Sequence, residues 1–286
     1  MTVDFALETC HAPGRRTESL PADTPAFARR VRSTAEWMRY FRANLRWCRA
    51  IPWETGAGVT VPELTAIARS LQAWQLGETS DGRHLLAAAR RYAQRFADPM
   101  FVPLARLFIR EEQRHGELLG RFLDLAGVGR IERDWGDRLF RAARYLLANM
   151  ETWTTPVVMI ETLAMIYYNA IRRATGSRVL HAICTQILAD EVPHVVFQAE
   201  RLAILLRRRS RSGFRVTMLA QRLFFVVVVL LVWLGHRRAL KAGGYGWRHY
   251  WRTAWAKMSS AWRRMDPRQY VWDSSRKSDT WFTVAS

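Results

Sequence analysis

Apolar residues recur along this chain mostly at three- and four-residue intervals, and no stretch keeps the two-residue alternation of a half-buried strand for long. The pattern predicts a nearly all-helical protein. Residues 1 to 24 mix Pro, Thr, Glu and Arg without a period and read as a flexible leader. Residues 26 to 50 turn helical, with Trp37, Tyr40, Phe41, Leu45 and Trp47 among arginines, as suits a helix on the outside of a larger body. Pro52, Gly56 and Gly58 end it. Thr60 or Val61 ahead of Pro62 opens the next helix, because proline is tolerated in a first turn and Glu63 favours it. One long helix is predicted from Pro62 to about Phe96, crossed by Gly77 and Gly82 and stopped by Asp98-Pro99. Another runs from about Phe101 to Ala126 and ends at Gly127 and Gly129.

After a loop at 127 to 134, the segment from Trp135 to Thr175 is helical in pattern but carries Pro156, so it is two helices or one kinked helix, closed by Gly176. Ser177 to about Arg208 forms a further helix with Pro193 inside it, which should remove one backbone hydrogen bond and bend it. Beyond the Arg-rich run 207 to 211, Leu223 to Leu234 is almost pure Phe, Val, Leu and Trp, flanked by Arg222 and by His236-Arg237-Arg238. A spanning helix needs about 20 apolar residues, so this run reads as too short to span and as a core or interfacial helix. Residues 243 to 265 place Trp247, Tyr250, Trp251, Trp255 and Trp262 among Arg and Lys, and the tail after Pro267 looks loose. The organisation expected is a leader and flanking helix at 1–61, a helical bundle at 62–208 and a basic, Trp- and Arg-rich appendage at 209–286.

At 286 residues the chain can bury one large core, or one core and an appendage. Its net charge of +19 favours anionic partners, which include acidic redox proteins, acidic membrane surfaces and nucleic acid, without choosing among them. Cys10, Cys48 and Cys184 are an odd number with no C-x-x-C spacing, which argues against a disulfide framework, a zinc ribbon or a rubredoxin-like appendage. A reducing compartment fits. The opening residues lack the basic-then-apolar layout of a signal peptide, so a cytoplasmic location is expected, peripheral at the membrane if residues 214 to 265 rest on one.

The chemistry lies in a doublet. Glu111-Glu112-Gln113-Arg114-His115 and Asp190-Glu191-Val192-Pro193-His194 each read acid-Glu-x-x-His within a predicted helix. Residues three apart lie one turn apart on one face, so Glu112 with His115, and Glu191 with His194, can each hold one metal ion. A single Glu-x-x-His is common by chance; two, each preceded by an acid, are not. Two such half-sites leave a pair of divalent ions short of ligands, and dinuclear carboxylate sites in bundles complete them with a Glu from each of two further helices. Glu78 lies mid-way along the predicted helix 62 to 96, and Glu161 interrupts the apolar stretch Val157 to Ile166, where a carboxylate is costly unless paired or bound to a cation. Spacing agrees: Glu161 lies 14 residues before Thr175 and Glu191 lies 14 after Ser177, so both stand about 21 Å from the turn between them.

In that order, Glu, Glu-x-x-His, Glu, Glu-x-x-His, the chain resembles the ferritin-like di-iron carboxylate proteins over about residues 62 to 208. The resemblance implies a ferritin-like four-helix bundle with extra N- and C-terminal helices. It implies Glu78, Glu112, His115, Glu161, Glu191 and His194 as metal ligands, with Glu112 and Glu191 bridging or flexible. By the same resemblance, Glu111 and Asp190 match outer acids that take the free imidazole N–H of the histidine on the opposite helix. Two Fe are the expected cofactor, with Mn or mixed Mn/Fe as alternatives. Helical neighbours of the ligands should line a pocket: Trp74 and Gly82, Phe108 and Leu119, Met165 and Tyr168, Cys184 and Ile187. Gly82 in particular removes bulk one turn from Glu78.

Departures narrow the expectation. Ribonucleotide reductase small subunits of the tyrosyl-radical type carry Tyr one turn after the first motif His, where this chain has Leu119, so radical storage is not expected. Rubrerythrins add a rubredoxin domain, and cage-forming ferritins lack the second His and are shorter. The resemblance left is to oxygen-activating hydroxylase, desaturase or oxidase branches: O2, an external electron donor and a small organic or acyl substrate as partners, with a homodimer allowed. The alternative is a non-enzymatic basic protein that binds membrane or nucleic acid, its motifs being buried ion-pair networks, or a ferritin-like iron-binding protein.

Overall fold

The computed structural model describes residues 29–136, 138 and 149–272, and within them the protein is all-α apart from one two-residue ladder. The leader at 1–24 and parts of the segments 26–50 and 135–175 lie outside the described residues. Helix α1 (Thr34–Arg46) starts later than its apolar pattern suggests, because Ser33 and Glu36 close a capping box: each side chain accepts the other's backbone N–H, at 3.2 and 2.8 Å. Ahead of it, Arg29–Arg30 is extended instead of helical. A single 3₁₀ turn (Trp53–Thr55) leads to α2 (Val61–Glu78), which Thr60 and Glu63 cap in the same way, with Pro62 in its first turn.

The long helix predicted over 62 to 96 is in fact two. α2 stops at Glu78, and α3 (Arg83–Arg95) begins after Gly82, whose φ of 67° lies in the left-handed region. A Cβ at Gly82 would lie 2.4 Å from Ile109 Cδ1, so this glycine is set by the turn and by close packing on the next helix. Glu78 is therefore the last residue of its helix and not a mid-helix residue. There the carbonyl end of the helix dipole disfavours an anion and favours a cation beside it.

Helix α4 (Phe101–Leu125) follows, then α5 (Met150–Ala174) and α6 (Arg178–Leu206), joined by the short turn expected around Gly176, where Ser177 accepts the Leu180 N–H. Pro156 and Pro193 sit inside α5 and α6, and both helices run on through them. Each proline deletes one N–H donor, yet the packing on either side holds the turn. The apolar run 223 to 234 is the middle of a longer helix, α7 (Arg211–Ala242), followed by α8 (Trp247–Met265). At 32 residues, with a mean hydropathy of 2.2 over its best window, α7 is long and apolar enough to cross a membrane, which corrects the length argument made from the run alone. A core helix of a soluble protein passes the same test. The tail is also ordered up to Trp272: after a turn at Pro267–Gln269, Tyr270–Val271 pairs in parallel with Arg29–Arg30, and Tyr270 is buried.

Helices α2, α4, α6 and α5 contact one another in a closed ring, each touching the next, so one residue from each can meet at the centre. α1 and α3 pack on α4, while α7 and α8 cover the α5–α6 pair through Phe225, Val229, Tyr250 and Met258. Burying each such side chain contributes about 1.5–3 kcal/mol. α7 also ties to α2 by a polar contact: His236 Nδ1 lies 2.8 Å from Ser70 Oγ, which donates to Tyr167 OH at 3.1 Å, with the Trp74 ring 5.7 Å away.

Burial lowers the His236 pKa from 6.5 to about 4, with Asp134 opposing and Arg69 assisting. The folded state therefore binds its proton less readily than the unfolded chain, so stability falls as pH drops from about 6.5 through about 4. The loss is expected to be on the order of 2 kcal/mol. Denaturant unfolding at stepped pH should show this loss in the parent protein, and the parent-minus-variant difference should be flat in His236→Gln if the histidine has no part in it.

Candidate metal centre

The ring of four helices brings all six predicted ligands together. Glu78, Glu112 and His115 form one group and Glu112, Glu161 and His194 a second, with one donor atom of each residue within 4.8 Å of the others in its group. Glu112 belongs to both. Glu191 lies between the imidazoles, its two oxygens 3.7 Å from His115 Nδ1 and 3.8 Å from His194 Nδ1, while Glu112 Oε1 is 2.8 Å from His194 Nδ1. The two carboxylates taken from the doublet thus stand in the middle, with Glu78 and Glu161 at the flanks.

Behind the histidines the two helices exchange acids. His115 on α4 turns Nε2 to Asp190 of α6 at 3.0 Å, and His194 on α6 turns Nε2 to Glu111 of α4 at a longer 3.5 Å. The acid at Nε2 of His115 orients that ring and turns Nδ1 toward the carboxylates, while His194 faces Glu112 through its Nδ1. Asn44 of α1 donates to both Asp190, at 2.8 Å, and Glu111. Arg114 donates to the same pair at 2.8 and 3.2 Å, and Gln186 donates to Asp190 at 3.0 Å. On the other side, Tyr168 OH donates to Glu78 at 2.7 Å, and Gln198 donates to Glu161.

Electrostatics follow from crowding four carboxylates and two imidazoles into one interior. Burial pushes Glu78 and Glu161 well above the usual carboxylate range, and neighbouring carboxylates push them further. Burial likewise raises Glu191. Burial opposes ionisation of Glu112 too, but the adjacent His194 outweighs it and lowers its pKa. Desolvation works against protonated His115, yet Asp190 and the carboxylates raise it to about 9; His194 rises in the same way. Asp190 is held below its ordinary value, against burial, by His115 and Gln186.

Donor chemistry and geometry fit a pair of divalent cations. Among the described residues, three buried atoms that face the centre have no hydrogen-bond partner, His115 Nδ1, Glu161 Oε2 and Glu191 Oε2, while His194 Nδ1 and Glu112 Oε1 have only each other, at 2.8 Å. Buried polar atoms are normally satisfied, and a set of unpartnered oxygens with imidazole nitrogens suits Fe or Mn. Gly116, next to His115, is needed for this approach, because a Cβ there would lie 3.2 Å from the backbone carbon of Glu78.

The carboxylate side opens onto a cavity of about 580 Å³. Glu78, Glu112, Glu161 and Glu191 line its floor, and Phe108, Trp153, Val157, Phe224, Val228 and Leu231 are among its apolar walls. Of the predicted pocket residues, Trp74, Gly82 and Phe108 line it. Met165, Tyr168 and Cys184 do not: Met165 packs toward α7 and α8, Cys184 sits in the core beside Ile67 and Leu180, and Tyr168 is taken up by Glu78. Residues further along α7 replace them, because that helix lies over the ring, a placement no local spacing encodes. Leu119 and Ile187, also expected at the pocket, are core instead, yet a phenol does approach the site, from α5 and not from α4. Asn44, Arg114, Gln186 and Gln198 were also missed. Asn44 had a signal, lying on the inner face of α1 one turn after the buried Phe41.

Arg114 is the cation held between two buried acids, so its removal leaves their charge uncompensated. Arg114→Met is expected to lower the unfolding free energy by about 3 kcal/mol, measured by denaturant unfolding of the metal-free protein; a change under about 0.5 kcal/mol would show that Asn44 and the histidines suffice.

Compared with known proteins, the chain matches no family model, no curated protein and no solved structure, so its functional reading rests on the geometry of these side chains.

Proposed function

We propose that this protein is a di-iron oxidoreductase of the ferritin-like carboxylate class, which uses O2 and an external electron donor to oxidise an apolar organic substrate. Manganese, or one manganese with one iron, is the alternative filling. The observation that carries the reading is the pair of ligand groups sharing Glu112, with each histidine backed by an acid from the opposite helix. An ion-pair network alone needs neither the sharing nor inward-facing buried atoms of His115, Glu161 and Glu191 without partners.

When bound, the two metals would supply the reduction of O2, the chemistry that side chains lack. The chain's own residues do the rest. His115 and His194, held at Nε2 by Asp190 and Glu111, would keep their Nδ1 donors fixed. Glu112 is the least buried of the six and lines the cavity, so it has room to change its coordination as charge on the site changes. Tyr168 fixes Glu78 by donating to one of its oxygens. The walls formed by Phe108, Trp153, Val157 and Ile160 favour an aliphatic or aromatic substrate beside the carboxylates, while Asp81, Arg83 and Asp134 line more polar parts of the same cavity. A cavity of about 580 Å³ is in the range of sites that enclose a whole small ligand.

Anaerobic loading with Fe(II) should give roughly two irons per chain and raise the thermal midpoint, and chelation should reverse the rise. Glu112→Ala, which strikes both groups, should lose most of the iron. Asp190→Asn should weaken metal binding about 10- to 100-fold while leaving the ligands in place. Oxygen uptake by the reduced, loaded protein should exceed that of Glu112→Ala. Full iron content in Glu112→Ala would overturn the assignment.

A further inference from the structure

Helix α7 carries an apolar stripe that the other described residues leave uncovered. Val216, Leu219, Leu223, Val227, Leu230 and Leu234 are 41–67% exposed, at successive spacings of three or four residues. These positions lie on one face of the helix over about 27 Å. The opposite face is core, where Phe225, Val229 and Val232 pack with α5 and α8. The stripe is thus the outer side of a helix fastened to the body along its length.

Charge says what fits it. Between Glu200 and Asp266 the chain has 15 Lys and Arg and no acid, so this segment supplies most of the net charge of +19. Exposed Arg215 and Arg222 flank the stripe on one side, and Arg237, Arg238 and Lys241 on the other. A second copy laid along the stripe would bring two such cationic arrays together. Nucleic acid would meet the arginines but leave the leucines in water. An anionic bilayer surface accepts both, leucines among the acyl chains and guanidinium groups among the head groups. Exposed Trp247 packs against Trp233 of α7 at 5.3 Å, near the Leu234 end, as suits an indole at a lipid–water boundary.

The stripe is also the rim of the cavity. Val227 and Leu234 belong to both, and the same cavity has Glu112 and Glu161 on its floor. We propose that α7 docks lengthwise on an anionic lipid bilayer, and that the cavity beside it draws its substrate, a membrane-dissolved apolar chain, directly from the lipid. The docking stands on the stripe and its charge alone; the substrate class rests on the di-metal reading.

The test uses the full chain and sedimentation with vesicles of phosphatidylglycerol and phosphatidylcholine, or of phosphatidylcholine alone. Preference for the anionic vesicles by about tenfold or more is expected, weakened by salt. Leu219→Glu, Leu223→Glu and Leu230→Glu combined should abolish pelleting without altering the helical circular dichroism, since these residues touch neither core nor cavity. Arg215→Gln, Arg237→Gln and Arg238→Gln combined should erase the lipid preference. Parent protein that stays in the supernatant, or a triple glutamate variant that pellets like the parent, overturns the docking. So does a dimer that the glutamates convert to monomer without any vesicle binding.

For the cavity, the probe is cis-parinaric acid supplied in the vesicles, read by its fluorescence in the protein. Uptake should fall about fivefold or more in Val227→Trp, which narrows the rim, with iron content unchanged. Iron bound normally but no uptake by the parent overturns the lipid substrate and leaves the metal centre standing. Uptake without iron binding overturns the di-metal reading and leaves the docking and the apolar site standing.

Discussion

Four carboxylates and two imidazoles share one dry interior, and the arrangement of the other helices answers the cost of placing them there. An isolated ionised carboxylate in such surroundings is disfavoured by many kcal/mol. At Glu78 and Glu161 that cost shows as carboxyls pushed well above their ordinary range, and Glu112 meets it by lying against His194. Neither effect satisfies the atoms of Glu161, Glu191 and His115 that face inward. A pair of cations would satisfy them together, and the negative end of α2 beside Glu78 adds to that preference.

The centre is one-sided. Behind the histidines, Asp190 and Glu111 are locked by Asn44, Arg114 and Gln186, and the rings of Phe41 and Phe108 pack on His194 at 5.8 and 4.8 Å. That half is closed, and Asp190 within it is held by four donors, His115, Asn44, Arg114 and Gln186, which favours a fixed geometry. On the other side the carboxylates face an apolar cavity whose outer wall is α7. The nitrogen donors thus lie at the back and the carboxylate oxygens at the front, toward the cavity. The same helix that walls the cavity also presents the uncovered stripe, so one element links the centre to the surface.

Local signals marked some helix ends: Pro62 with Glu63 opens α2, and Gly176 with Ser177 marks the α5–α6 turn. The Ser33 and Glu36 box that starts α1 is equally local, yet the apolar pattern alone placed that start several residues too early. Where a break depended on contact with another helix, the local pattern misled. Gly82 looked like a tolerated interruption in a long helix, but its left-handed turn is fixed by the approach of Ile109, and it moved Glu78 from mid-helix to a terminus.

The sequence by itself determined the helical class and the six clustered side chains, because Glu-x-x-His spacing and a carboxylate in an apolar run are properties of one helix at a time. The exchange of acids was implied only by the family resemblance, and the structure shows Asp190 beside His115 and Glu111 beside His194. Only the tertiary structure decided what surrounds them: Asn44 arriving from α1, Tyr168 approaching Glu78 from α5, and α7 in place of Met165 and Cys184 as a cavity wall. Those residues are brought together by how whole helices lie across one another, and that depends on the summed burial of every face at once, which no single spacing records.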